Sequence, residues 1–190
     1  MAASAGVCSV ESVEAQRPET PGSRRDCERA TGKAFEKRLD DSFAYYAAKG
    51  IAYIEKTPEP FRIIRPLEKG QFVCVIAQKA QPDYQGTAPG GISVMFEAKH
   101  TVNRQLYRSK VTDNQIEYLR RHSKRGARCY ILAGFGNGKT YRVPFETWDN
   151  MQKIFGRKYV TPVELETYEV VERNSVLLVL HRTKGEHHVN

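Results

Sequence analysis

Pro82-Asp83-Tyr84-Gln85-Gly86-Thr87-Ala88-Pro89-Gly90-Gly91-Ile92-Ser93-Val94-Met95-Phe96-Glu97-Ala98-Lys99 is the stretch on which the reading of this chain turns. Thirteen residues separate its Pro-Asp pair from Glu97-Ala98-Lys99. From Ile92 onward the chain alternates, with Ile92, Val94, Phe96 and Ala98 on one side and Ser93, Met95, Glu97 and Lys99 on the other. Such alternation marks a strand with one buried face. It sets Glu97 and Lys99 on the same face, about 7 Å apart. Asp83 precedes a turn rich in Gly and Pro, so a hairpin return brings it beside Glu97. Two carboxylates and a lysine suit metal-dependent phosphodiester cleavage. Asp83 and Glu97 supply hard oxygen ligands for Mg²⁺, with Mn²⁺ as the alternative ion. Lys99 orients or helps deprotonate the attacking water, or neutralises charge on the phosphate. A Glu-x-Lys alone is most often a polar strand face; the Pro-Asp across the turn lifts it above that.

A chain of 190 residues is long enough for one domain with a sizeable core. Its net charge of +8 and pI near 9.3 favour a polyanionic partner without identifying it. No apolar run approaches the roughly 20 residues needed to span a bilayer. Residues 1–16 carry no charged segment followed by an apolar one, so no secretory signal is read and a cytoplasmic location is expected. Cys8, Cys27, Cys74 and Cys129 have neither paired nor metal-ligand spacing and read as reduced thiols. His187-His188 reads as tail rather than a zinc site, which would need further partners.

Residues 1–30 read as a flexible leader, 31–180 as the folded domain and 181–190 as a tail. Phe35, Leu39, Phe43 and Tyr46 follow helical spacing, closed by Gly50. Strands are expected around 51–54, 61–64, 72–76 and 92–99, then a helix from about Thr112 to Arg125 closed by Gly126. Arg128–Ala133 and Thr140–Val143 read as a hairpin, 145–155 as a short helix carrying Trp148, and 176–180 as a last strand. The order predicts an α/β fold, a mixed sheet flanked by helices.

Two other features compete with this reading. Ala133 to Thr140 fits a relaxed phosphate-loop pattern, but Tyr141-Arg142-Val143-Pro144 continues as a strand, not the helix such a loop must open. Asn137-Gly138 between apolar runs is a hairpin turn, and no nucleotide cofactor is expected. Arg120, Arg121, Lys124, Arg125 and Arg128 gather at the end of the second helix. They either complement the helix dipole or form a phosphate-contacting patch. His100 reads as a surface histidine.

The chain resembles the RecU family of Holliday junction resolvases, within the PD-(D/E)XK nuclease superfamily. The resemblance rests on Gly32 with Phe35-Glu36, on Ile54-Glu55-Lys56-Thr57-Pro58-Glu59-Pro60 and on Asp83-Tyr84-Gln85-Gly86. It continues through Phe96-Glu97-Ala98-Lys99-His100-Thr101, Gln115-Ile116-Glu117 and Gly156-Arg157-Lys158. It covers roughly residues 32–170 and implies a single-domain PD-(D/E)XK fold. It further implies a homodimer that nicks branched DNA, a four-way junction, symmetrically. Glu36 would complete the metal or water shell around Asp83 and Glu97. Gln115 would sit near Lys99 or the phosphate, and Lys56 and Lys79 would contact DNA. A stalk, here about 65–80 and carrying Phe72, would enter the junction. The chain departs from the family pattern at Gln81-Pro82, where Thr is common, and at His100, where Glu is. Two rival functions fit the same residues. One is a phage or restriction-type nuclease for duplex or flap DNA, and the other is a non-catalytic DNA-binding repair scaffold.

Overall fold

The computed structural model describes residues 24–76, 81–181 and 183. Lys79, His187-His188, and most of the expected leader and tail lie outside the described residues. In chain order the elements are α1 (Arg24–Ala48), β1 (Tyr53–Lys56), β2 (Phe61–Pro66), β3 (Phe72–Ile76), β4 (Tyr84–Ala88), β5 (Ile92–Thr101) and β6 (Leu106–Tyr107). There follow α2 (Asp113–Ser123), β7 (Arg128–Phe135), β8 (Thr140–Pro144), α3 (Phe145–Asp149), α4 (Met151–Phe155), β9 (Tyr159–Val160), β10 (Glu172–Arg173) and β11 (Val176–Leu177).

A five-stranded sheet in the order β1-β4-β5-β7-β8 organises the domain. β5 pairs antiparallel with β4 and parallel with β7, so the sheet is mixed, as the element order predicts. α1 covers one face. Phe35, Leu39, Phe43 and Tyr46 recur at helical spacing and pack with Val94, Phe96 and Leu132. α2 and α3 cover the other face, where Ile116, Leu119 and Trp148 meet Met95, Ile131 and Ala133.

Several expectations are corrected here. β5 is not half-exposed: as the middle strand it is covered on both faces, and Met95 and Glu97 are as buried as Val94 and Phe96. The alternation separates two cores rather than core from solvent. α1 begins at Arg24, inside the segment read as leader. There Glu28, Arg29 and Ala30 are good helix formers and extend the helix beyond its buried part. The helix read over 145–155 is two short ones, broken at Asn150. The last strand is limited to Val176–Leu177.

Among the described residues β2 and β3 pair only with each other, and they hold apolar side chains in solvent, with Phe61 66% and Phe72 48% exposed. This hairpin starts at Phe61, ahead of the expected stalk and directly after Pro58-Glu59-Pro60, whose prolines lack the amide a ladder needs. Gly86 admits the close approach of the edge strand: a Cβ there would lie 2.0 Å from the Tyr53 carbonyl oxygen.

Candidate active site

The β4–β5 hairpin delivers the first two site residues together. Tyr84 pairs with Phe96 across the ladder, so Asp83, one residue earlier, falls opposite Glu97. The turn between them uses Gly90 and Gly91, both at positive φ, which other residues adopt at a cost. Asp83 is held at both ends: its carbonyl accepts from the Thr57 amide at 2.8 Å and its Oδ2 from the Ala98 amide at 2.9 Å. Lys99 follows Glu97 on the same face, its ammonium in contact with Glu97 Oε1 and 3.9 Å from Asp83 Oδ2.

Glu97 is fully buried. Desolvation pushes its carboxyl up to about 8, and the neighbouring Asp83 charge adds to that push, while the Lys99 ammonium works against it. Gln115 Nε2 donates to Glu97 Oε1 at 2.7 Å, whereas Glu97 Oε2 is buried with no hydrogen-bond partner. An unmatched carboxylate oxygen beside a second carboxylate suits a hard divalent ion. Among the described residues no group of three or more His, Cys, Asp or Glu side chains forms a metal cluster. Such an ion would therefore draw its remaining ligands from waters, backbone or a substrate phosphate, as Mg²⁺ commonly does.

Gln115 owes its place to the start of α2. The Thr112 hydroxyl accepts from the Gln115 amide, and Gln115 Oε1 accepts in turn from the Thr112 amide at 3.0 Å, a reciprocal capping box. One side chain thus caps the helix with its oxygen and holds Glu97 with its nitrogen. The Thr112-x-x-Gln115 pattern is readable in the sequence as a helix start, though its second role is not.

Glu36 lies on α1 one turn before Asp40, and Lys56 ends β1. Lys56 Nζ is 2.7 Å from Glu36 Oε2 and 3.9 Å from Asp40 Oδ2, and its pKa is raised chiefly by the bond to Glu36. Glu36, expected in the metal or water shell, is thus engaged by a lysine. Tyr84, 1% exposed, donates its hydroxyl to Asp40 Oδ1 at 2.7 Å. Sequence reasoning missed both Asp40 and Tyr84; the spacing of Asp40 four residues after Glu36 was the available signal.

The basic cluster is placed differently from the catalytic group. Arg120 makes bonds to both oxygens of Asp149 and one to Glu117, and Arg121 pairs with Glu117. Among the described residues Lys124, Arg125 and Arg128 form no such carboxylate pair at the helix end, and all three are exposed. α2 runs antiparallel to β5, from Gln115 beside Glu97 to Leu119 beside Cys129, so these three lie beyond it at the end of the sheet away from Lys99. His100 is not a free surface group. It points to the α1 face, its ring 5.7 Å from that of Phe35, and burial lowers its pKa.

Known proteins share sequence with this chain over most of its length. The family model described as "RecU: Recombination protein U" matches residues 30–181. The Holliday junction resolvase RecU of Listeria welshimeri is 32% identical over 146 residues, 71% of this chain and 72% of that protein. That of Bacillus pumilus is 32% identical over 145 residues, 70% and 69% respectively. Among solved structures, that of Archaeoglobus fulgidus Hjc, a Holliday junction resolvase, covers 59% of this chain and 78% of its own. Its sequence identity is 13% and its TM-score 0.40.

Proposed function

The chain belongs to the RecU family, and from that premise we propose that it is a metal-dependent endonuclease that resolves four-way DNA junctions by symmetric nicking. The observation that carries the chemistry is the convergence of Asp83, Glu97 and Lys99 around a buried, unpartnered carboxylate oxygen. Asp83 and Glu97 would hold Mg²⁺ or Mn²⁺. When bound, the ion would make a water more acidic and neutralise charge on the phosphate. Lys99, on the same face, would orient the attacking water and stabilise the developing charge through its ammonium. Attack forms the bond from the water oxygen to phosphorus as the bond to the 3′ oxygen breaks, leaving 5′-phosphate and 3′-hydroxyl ends. Gln115 keeps Glu97 in place throughout.

A homodimer is part of the proposal, because a two-fold assembly offers two equivalent sites to a nearly symmetric junction. The exposed β2–β3 hairpin and the positive net charge support a branched, polyanionic substrate. The test is cleavage of a labelled synthetic four-way junction beside a linear duplex of matched sequence, with Mg²⁺ and with chelator. Paired nicks on the junction alone, lost with chelator, are expected. Equal cleavage of both substrates would replace the junction with duplex or flap DNA. Tight binding without cleavage would leave a repair scaffold.

A further inference from the structure

Asp40 stands outside the set that would hold the ion, yet it joins three elements at the edge of the site. We infer that Asp40 is a positioning residue, which fastens α1 to the strand pair that delivers Asp83; this rests on the metal-site reading above. Lys56 and Tyr84 are cross-strand partners in the β1–β4 ladder, and Asp40 lies over both. Its Oδ1 accepts from the Tyr84 hydroxyl at 2.7 Å, and its Oδ2 is 3.9 Å from the Lys56 ammonium. Tyr84 directly follows Asp83, and its ring is fixed in the core against Phe43, with centroids 4.9 Å apart. Thr57, which directly follows Lys56, donates to the Asp83 carbonyl. The peptide that follows Asp83 is therefore tied, through Tyr84 itself and through Thr57 beside Lys56, to a residue pair whose polar ends meet at one carboxylate.

Chemistry distinguishes the two bonds. The Tyr84 hydroxyl needs an acceptor because it emerges from the core, and either an aspartate or an asparagine oxygen can serve. Lys56 needs the charge, which it also draws from Glu36 at 2.7 Å. A role in placing Asp83 thus runs through Tyr84, and Asp40→Asn should preserve it.

The experiment is Mn²⁺ titration by calorimetry of the full chain, with thermal melts run alongside. Tyr84→Phe retains the ring in the core, and Asp40 is a surface side chain, so both variants should fold. Asp40→Ala and Tyr84→Phe should each weaken Mn²⁺ binding by about tenfold, the scale of lost outer-shell partners. The double variant should lose less than the product of the two single losses, because both remove the bond between Tyr84 and Asp40. Asp40→Asn should bind within about twofold of the wild type. Unchanged Mn²⁺ affinity in Asp40→Ala, even with a lowered melting temperature, would reduce the bond to plain stability and overturn the role. Wild-type binding no tighter than that of Asp83→Asn would instead overturn the metal-site reading, and the role of Asp40 with it.

Discussion

Burial sets the behaviour of Glu97. Its carboxyl is raised to about 8 from an ordinary 4.5, so the folded, metal-free protein holds a proton that the unfolded chain releases between those values. That proton's contribution to stability is complete below about 4.5 and is lost as pH rises through 8. Thermal melts in chelator should therefore show stability falling from pH 5 to 8, and Glu97→Gln should flatten that fall. Ion binding requires the carboxylate, so at pH 7 it should release about one proton, read by calorimetry in buffers of different ionisation enthalpy. Asp83→Asn and Glu97→Gln should each lower junction cleavage by about a thousandfold or more, while gel-shift affinity for the junction changes only a few-fold. Normal cleavage by Asp83→Asn would move the ion elsewhere.

The start of α2 shows how an element serves chemistry through its own folding rules. The Thr112–Gln115 capping box is a local device, but here the capping side chain also spends its amide nitrogen on Glu97. Thr112→Ala should cost about 1 kcal/mol in denaturant melts. Gln115→Glu separates the two roles, since a glutamate at this position still caps the helix. It would, however, set a third carboxylate against Glu97 in place of a donor. Cleavage reduced at least about tenfold is expected; unimpaired cleavage would show that Gln115 only caps.

Across the whole molecule, some of the positive charge is paired within the fold and some stands exposed. Arg120 and Arg121 are taken up by Asp149 and Glu117, whereas Arg125 and Arg128 stand exposed beyond them. Alanine at Arg125 or Arg128 should each lower the slope of log affinity against log salt by about 1 if they meet phosphates. Alanine at Arg120 should lower the melting temperature and leave the slope alone. The sequence cluster could not make this division, because Asp149 lies outside the helix and is brought to it only by packing. By itself the sequence determined the order of the longer helices and strands, the hairpin at Asn137-Gly138 and the meeting of Asp83, Glu97 and Lys99. Each depends on periodicity or on a turn within a single hairpin, so local spacing sufficed. Tertiary structure alone decided that β5 is covered on both faces and that Glu97 is stripped of water. It also decided that Glu36 faces Lys56 and that Asp40 joins α1 to Tyr84. Those outcomes arise from contacts between elements far apart in sequence, which burial and charge select only once the layers have packed.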